Sequence, residues 1–269
     1  MQYITHVFNR HEIKYMITQE QYRKLLDGIR DYMLPDPHGE STICNIYYDT
    51  PDDRLVRKSL EGPVYKEKIR LRSYGTAKED SIVFLELKKK YQGIVYKRRI
   101  ELPEHAASDY MKGTLSFQEM LAKMHQGSSP QIAEEIEQFK QFYHDLSPAV
   151  YLSYDRSAFF SEEDDSLRIT FDHNIRWRKE RMRLTEEAEG ELLLSPDTYL
   201  LEIKTAESLP LWLVSLLSRT KIRPSGFSKY GKVFQTILTR GTQAAASVVQ
   251  DKNQIFKPAC SEVLPIAGN

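Results

Sequence analysis

Residues 65–74 read YKEKIRLRSY and carry a cation at every second position. These cations are Lys66, Lys68, Arg70 and Arg72. Successive side chains of a β-strand point to opposite faces, so the cations form a ladder on one side of a sheet. Ile69 and Leu71 then lie on the other side. The stretch therefore predicts a strand with one charged face and one apolar face.

The same alternation recurs elsewhere in the chain, and some of the charged positions are carboxylates. In each of three further segments, the alternation places charged residues on one face of the strand. These sets are Arg10, Glu12 and Lys14; Glu86 and Lys88; and Glu202 and Lys204. Rows of cations with an occasional carboxylate indicate a surface suited to a polyanion and a metal ion.

The overall charge restricts where such a surface can be. The chain has 38 Lys plus Arg and 38 Asp plus Glu, so its formal net charge is zero. A neutral protein has no general attraction to nucleic acid or to an anionic membrane. We therefore expect a local polyanion site in a recess or tunnel, and no nucleic-acid partner.

Length and composition predict one main domain. The chain has 269 residues, of which 41% are hydrophobic. We expect the domain to cover residues 1–240, and residues 241–269, which lack periodicity, to form a loosely structured tail. Cys44 and Cys260 have no metal-binding spacing, which fits a cytoplasmic protein. No apolar run approaches the roughly 18 residues of a membrane span.

Local signals predict how helices and strands alternate. Thr18 and Gln21 form a capping box for a helix ending near Arg30, and Gln92-Gly93 suits a hairpin turn. The pattern is helical over about residues 104–146, between two sets of strands. About eight strands in hairpin order favour an antiparallel sheet.

Two arrangements of the charged faces remain open on pattern alone. The charged face of a sheet or sandwich can lie in water, or it can line the inside of a barrel. The opposite face is apolar enough to pack against helices, which favours the second arrangement. The expected fold is α+β: a closed antiparallel β-barrel tunnel of about eight strands with a charged lumen, surrounded by helices.

Several motifs, in order along about residues 5 to 235, resemble the VTC domain. This family is the polyphosphate polymerase catalytic domain of the triphosphate tunnel metalloenzyme superfamily. The motifs are RHEIKY at 10–15, KIRLRSY at 68–74, FLELKKK at 84–90, YKRR at 96–99, YDRSAF at 154–159, LRITFD at 167–172, LLEIK at 200–204 and GFSKYGK at 226–232.

The resemblance implies a set of site residues. The implied catalytic residues are Arg70, Arg72, Lys88, Arg156, Arg168 and Glu202, with Glu202 also the metal ligand. The implied substrate-binding residues are Lys14, Lys97, Tyr154, Lys204, Ser228 and Lys229. Glu12 and Glu86 are either second metal ligands or counterions. The remaining basic residues of these strands, Lys66, Lys68, Lys89, Lys90 and Arg99, are expected to be solvated or at a rim.

The function that the resemblance implies is metal-dependent polyphosphate polymerisation. The terminal phosphoryl group of ATP would pass to a growing inorganic polyphosphate chain, with release of ADP and with Mn2+ or Mg2+ as cofactor. Partners would be ATP, polyphosphate and a membrane-associated protein. Two alternatives stay open: a tunnel triphosphatase or nucleotide phosphohydrolase, and a noncatalytic protein that binds polyphosphate or inositol phosphate.

Overall fold

The computed structural model describes residues 11–37, 39–206 and 208–255, with side chains to residue 242. The chain divides into two compact units between Lys232 and Val233. The strands are β1 (His11–Thr18), β2 (Leu34–Pro35), β3 (Ser41–Asp49), β4 (Tyr65–Tyr74), β5 (Ile82–Tyr91), β6 (Ile94–Pro103), β7 (Ser147–Phe160), β8 (Arg168–Arg178), β9 (Glu191–Leu192) and β10 (Thr198–Thr205). The helices are α1 (Gln19–Ile29), α2 (Arg54–Leu60), α3 (Glu104–Lys112), α4 (Phe117–Lys123), α5 (Pro130–Tyr143), α6 (Leu211–Arg219) and α7 (Lys229–Ile255).

The strands form one antiparallel sheet in an α+β fold. Its order is β1-β10-β8-β7-β3-β4-β5-β6, while β2 pairs with β7 and β9 with β8. Tyr91 pairs with Ile94 across the β5–β6 turn, so the loop is the dipeptide Gln92-Gly93. Both loop residues have positive φ, at 48° and 87°, as a tight hairpin turn of this length requires. The predicted hairpin connection is therefore confirmed.

The apolar face of the sheet is covered by helices. One buried cluster packs residues of α3, α4 and α5 against β3, β4, β5 and β6, with Leu85 and Ile136 among its members. A second cluster packs α1 and α6 against β1, β8 and β10, with Leu25 and Ile203 among its members. We call this helix-covered side the outer face. The cation ladder of β4 lies on the opposite side, the inner face.

The predicted closed barrel is not confirmed, because the sheet order ends at β1 and β6. No strand pairing joins these two strands within the residues that the structure describes. The sheet nevertheless curves strongly: Lys88 Nζ on β5 lies 3.4 Å from Glu12 Oε2 on β1. Side chains therefore meet across the inner face although five strands separate β1 from β5 in the sheet order.

Two local predictions have different outcomes. The Thr18 capping box of α1 is confirmed, with Thr18 Oγ1 accepting from the Gln21 amide and Gln21 Oε1 accepting from the Thr18 amide. Helix α7, in contrast, continues to Ile255, so residues 241–255 are helical where a loosely structured tail was expected. The segment includes TQAAASVVQ, and alanine and glutamine favour a helix without an amphipathic pattern. Residues 256–269 lie outside the described part of the chain.

None of the described helices combines the length and the apolar character that a membrane crossing requires.

Candidate functional site

Glu202 on β10 is the centre of a cluster of cations on the inner face. Its carboxylate oxygens lie 3.2 Å from Lys14 Nζ, 3.4 Å from Arg156 Nη2, 3.6 Å from Lys229 Nζ and 3.9 Å from Lys204 Nζ. Burial alone would raise the pKa of Glu202, but these cations outweigh it and hold the pKa well below its usual range. The carboxylate is therefore ionised and has cations on several sides.

Asp172 on β8 is a second buried carboxylate beside Glu202, and it is bonded much more tightly. Arg156 donates from Nε and Nη2 to its two oxygens at 2.5 and 2.7 Å, and Lys229 Nζ donates to Oδ2. Asp172 has no exposed surface. Its oxygens are thus committed to fixing Arg156 and Lys229, whereas the contacts of Glu202 are longer than the roughly 2.7–2.9 Å of a strong charge-assisted bond.

Glu86 on β5 organises a further group of cations. Arg70 donates from Nε to Glu86 at 2.8 Å and from Nη1 to the Tyr47 hydroxyl at 2.8 Å. Lys97 Nζ lies 2.7 Å from Glu86 Oε1, and Arg72 Nε lies 3.7 Å from Oε2. Burial would raise the pKa of Glu86, but Arg70, Arg72 and Lys97 lower it below its usual range. Glu86 therefore acts as a counterion that positions these cations.

Glu12 on β1 connects the Glu202 group to Lys88 on β5. Its carboxylate lies 3.3 Å from Lys14 Nζ on the same strand. It also lies 3.4 Å from Lys88 Nζ on β5, which is far from β1 in the sheet order. Burial opposes ionisation, but Lys88 and Lys14 lower the pKa of Glu12 to about 2. Its contacts, like those of Glu86, are those of a counterion.

A row of three lysines crosses the inner face. Lys68 on β4 pairs in register with Lys88 on β5, and Lys88 pairs with Lys97 on β6. Like charges directly opposite each other destabilise a sheet. Burial, together with Lys14 and Lys88, lowers the pKa of Lys68 to about 8, and burial lowers that of Lys97 to about 8 although Glu86 opposes the shift.

The prediction that Lys68 is a solvated or rim residue is therefore wrong. Its side chain is half-buried, and Nζ donates to Ser228 Oγ at 3.0 Å. The physical reason is that Lys68 shares the face of Arg70 and Arg72, and the curvature of the sheet turns that face inward. Lys89 is also not solvated, since on the outer face its Nζ bonds Glu135 of α5 at 2.6 Å.

The start of α7 brings three consecutive residues over the inner face. Ser228 accepts from Lys68, Lys229 bonds Asp172, and the Tyr230 hydroxyl donates to Asp49 at 2.8 Å. The Asp49 carboxylate also accepts from the amides of Leu55 and Val56 in α2. Asp49 thus fixes the start of α2 and, through Tyr230, the segment that carries Ser228 and Lys229.

Tyr154 lies beneath the cations of the Glu202 cluster. Lys229 Nζ is 4.2 Å and the Arg156 guanidinium 5.3 Å from the centre of its ring, and Arg72 Nη2 donates to its hydroxyl at 3.3 Å. Burial would raise the pKa of Tyr154, but Arg72, Arg156 and Lys229 lower it. Tyr154 therefore links the group around Glu86 to the group around Glu202.

Most of the predicted site residues thus lie in one connected network on the inner face. Arg168 differs: it is exposed, and within the described ranges no hydrogen bond or ion pair of its side chain is found. Strand register places it opposite Lys204, at the edge of the Glu202 cluster. Among the predicted rim residues, Lys90 is exposed, Arg99 is 45% exposed, and Lys66 donates to the Ser59 carbonyl at 3.1 Å. Arg10 lies outside the described residues.

Three residues of the network were not predicted from the sequence. They are Asp172, Tyr47 and Asn45, whose Oδ1 accepts from Arg72 Nε at 3.0 Å. Asp172 could have been found, because it follows Arg168 at an even spacing within LRITFD and must share its face. Tyr47 and Asn45 carry no comparable signal, since neutral side chains at alternate positions are common in strands.

Two parts of the described structure offer the donor types that a divalent metal ion takes. Glu40, Asp155 and His173 bring ligand atoms within 4.8 Å of one another. Thr42, Asn174 and Ser157 already donate hydrogen bonds to these carboxylates, and Asp155 and His173 alternate with the inner-face residues Arg156 and Asp172. Glu202 is the better fit beside the cations, because its oxygens make only long contacts and oxygen donors suit manganese and magnesium.

Comparisons with known proteins identify the chain's relatives. The family model of the VTC domain matches residues 9–238. The vacuolar transporter chaperone complex subunit 4 of Schizosaccharomyces pombe is 29% identical over 149 residues, which are 51% of this chain and 20% of the yeast protein. The chain therefore matches about a fifth of the length of this curated relative.

A solved structure shows a similar fold. It is that of the Hippeastrum protein HpAC1, which is described as having a dominant triphosphatase activity. The TM-score is 0.51 at 18% sequence identity, over 84% of this chain and 94% of the Hippeastrum chain. At this identity the similarity concerns the fold.

Proposed function

This chain belongs to the VTC domain family, and from that premise we propose that it is a metal-dependent polyphosphate polymerase. It would transfer the terminal phosphoryl group of ATP to the end of an inorganic polyphosphate chain and release ADP. The observation that carries the proposal is the excess of cations over carboxylates on the inner face. It includes the row Lys68, Lys88 and Lys97, in which Lys88 and Lys97 each contact one carboxylate and Lys68 contacts none among the described residues.

The lysine row favours a polyanion as the natural occupant of the inner face. In the free protein the like charges repel. Burial comes first among the causes that lower the pKa of Lys68, and Lys14 and Lys88 lower it further. A phosphate chain would place negative charge along the row and remove the repulsion. A single small anion could reach only part of a row that extends over three strands, since neighbouring strands are about 4.8 Å apart.

The arginines are suited to the phosphoryl group that is transferred. Arg70 and Arg156 are each held by a carboxylate, Glu86 and Asp172, so their guanidinium groups are fixed before the substrate binds. Fixed donors stabilise developing charge without having to reorganise during the reaction. We propose that Arg70, Arg72 and Arg156 contact the transferred group, with Lys14, Lys229 and Ser228 on the neighbouring phosphates.

Glu202 would hold the metal ion. Several cations surround it in the free protein, so a divalent ion would enter most easily together with the triphosphate, whose charge offsets the repulsion. When bound, manganese or magnesium would neutralise charge on the phosphate oxygens. Asp172 is an unsuitable ligand because Arg156 and Lys229 occupy its oxygens.

The chemistry requires no strong general base. An oxygen of the terminal phosphate of the polymer would attack the γ-phosphorus of ATP, and the bond from that phosphorus to the β–γ bridging oxygen would break. ADP would leave with the electron pair, and the polymer would gain one phosphate. The attacking oxygen is already anionic, so positioning and charge neutralisation are the main requirements.

We propose that the curved sheet and the segment 228–230 enclose the bound polymer as a tunnel, in the cytoplasm. The relative from fission yeast is named as a subunit of a complex, so a membrane-associated partner protein belongs to the proposal as well.

The test is to incubate the protein with γ-labelled ATP and manganese and to separate the products on a gel. We expect labelled chains that lengthen with time and ADP in matching amounts. Labelled free phosphate without chains would identify a triphosphatase instead. Intact ATP, despite measurable binding of polyphosphate, would identify a binding protein without catalysis.

Binding of a polyanion should be linked to proton uptake by Lys68. Its pKa is lowered to about 8, first by burial, so near pH 8.5 the lysine is largely neutral in the free protein. A bound anion favours the charged form, so tripolyphosphate should draw up to about one proton to this site. Calorimetric titrations in buffers of different ionisation enthalpy would measure the uptake.

Two variants distinguish proton uptake by Lys68 from uptake by other groups. Lys68→Met should reduce the uptake, whereas Lys112→Met, on the exposed surface of α3, should leave it unchanged. The pH dependence of stability follows from the lowered pKa of Lys68. Between about pH 8 and 10.5, Lys68 is largely protonated in the unfolded chain and largely neutral in the folded protein. The free energy of unfolding of the wild type should therefore rise with pH in this range, relative to that of Lys68→Met. Equal proton uptake by Lys68→Met and the wild type would contradict this assignment.

A further inference from the structure

Thr170 on β8 has a buried hydroxyl group without a hydrogen-bond partner. The residue is 6% exposed, and within the described part of the chain its Oγ1 has no donor or acceptor in reach. Buried hydroxyls are usually bonded, and one that is not calls for an explanation such as a missing ligand. Thr170 belongs to LRITFD but has no role in the site described so far.

The register of the sheet places Thr170 on the inner face. It lies directly opposite Glu202 on β10 and opposite Ala158 on β7. Arg168 and Asp172 precede and follow it at the even positions of the same strand, so they share its face. Thr170 therefore lies in the centre of the charged surface, beside the carboxylate proposed to hold the metal.

None of its neighbours satisfies the hydroxyl in the free protein. Ala158 offers only a methyl group. The oxygens of Asp172 are taken by Arg156 and Lys229. Glu202 pairs in register with Thr170, yet its oxygens contact the surrounding cations and no hydrogen bond to Thr170 forms.

Two cations next to Thr170 also lack a full set of partners. Arg168 and Lys204 face each other in register, and like charges so placed repel. Among the described residues, the nearest carboxylate oxygen to Lys204 is that of Glu202, at 3.9 Å, and Arg168 has no ion pair. An anion near both cations would remove the repulsion and would also meet the Thr170 hydroxyl.

We infer that Thr170 binds phosphate: its hydroxyl donates a hydrogen bond to a phosphoryl oxygen of the polyanion, in a subsite completed by Arg168 and Lys204. The inference rests on the proposed function and adds a residue to it. The Thr170 hydroxyl is a neutral donor, so it can orient the phosphate without adding positive charge beside Glu202. A further cation at this position would compete with the metal ion for the Glu202 carboxylate. Thr170 would thus fix the phosphate that lies next to the metal.

The test compares Thr170→Val with Thr170→Ser and with the wild type. Valine keeps the branched shape and removes only the hydroxyl, whereas serine keeps the hydroxyl. The affinity for tripolyphosphate, measured by calorimetry without metal, should fall by about 10- to 100-fold in Thr170→Val, the usual effect of one bond to a charged group. Thr170→Ser should stay within about threefold of the wild type.

Thermal unfolding of the ligand-free proteins distinguishes a binding role of the Thr170 hydroxyl from a structural role. Because the hydroxyl has no partner in the free protein, Thr170→Val should melt no lower than the wild type. A lower melting temperature of Thr170→Val with unchanged affinity would overturn the inference and assign the hydroxyl a structural role. Unchanged affinity and unchanged melting would overturn it as well, because the hydroxyl would then not touch the ligand.

Tripolyphosphate binding by the wild type distinguishes a failure of this inference from a failure of the proposed function. If the wild type binds tripolyphosphate and Thr170→Val binds it equally well, only the role of Thr170 is overturned. If the wild type itself binds no tripolyphosphate, the proposed function is overturned together with the subsite.

Discussion

Glu202→Gln is expected to lower metal-dependent turnover by about a thousandfold, because a metal ion supplies several kcal/mol of charge stabilisation and about 1.4 kcal/mol corresponds to tenfold in rate. Glutamine keeps the size of the side chain but removes the charge on which a divalent ion depends. The nearby cations then lose a counterion. Metal-free binding of tripolyphosphate should therefore be as tight as in the wild type, or tighter.

The measurement is the rate of ATP consumption over a range of manganese concentrations, together with tripolyphosphate binding without manganese. Glu134→Gln is a matched control, since Glu134 is exposed on α5. Full activity of Glu202→Gln with unchanged manganese dependence would contradict the assignment of Glu202 as the metal ligand.

Asp172→Asn is expected to have the largest effect on stability. The carboxylate is fully buried and bonds Arg156 and Lys229 at once. Removing its charge leaves two buried cations with less compensation, and breaking a buried ion pair typically costs about 3–5 kcal/mol. The free energy of unfolding, measured by urea denaturation without ligand, should fall by an amount of this order.

Ligand binding distinguishes the role of Asp172 from that of Glu202. Tripolyphosphate can pair with the cations that Asp172→Asn releases, so we expect the ligand to restore part of the lost stability. Asp197→Asn, at an exposed position, should change neither quantity. If Asp172→Asn were as stable as the wild type without ligand, Asp172 would not be the buried counterion described here.

The assignment of residues to the two faces of the sheet was largely predictable from the sequence. Strand alternation has a period of two, so YKEKIRLRSY alone separates Arg70 and Arg72 from Ile69 and Leu71. The capping box at Thr18 was also predictable, because all its contacts lie within one turn of a helix. Features encoded by neighbouring residues can be read directly from the chain.

Features that depend on distant strands could not be predicted in this way. Lys68 was expected in water because clustered lysines usually are, but the curvature that encloses it appears only in contacts such as Glu12 to Lys88. Whether the two ends of the sheet pair is equally non-local, and the expected barrel closure is not confirmed. Asp172, in contrast, can be placed by the alternation argument, because it lies at an even spacing from Arg168 within LRITFD.

A crystal structure of the protein grown with tripolyphosphate and manganese would test most directly whether the inner face is the phosphate-binding site. We expect the phosphates to lie between the arginines Arg70 and Arg72 and the carboxylate of Glu202, with the metal ion on Glu202. Tripolyphosphate bound on the outer face, or an inner face left without phosphate at saturating concentration, would contradict the proposed function.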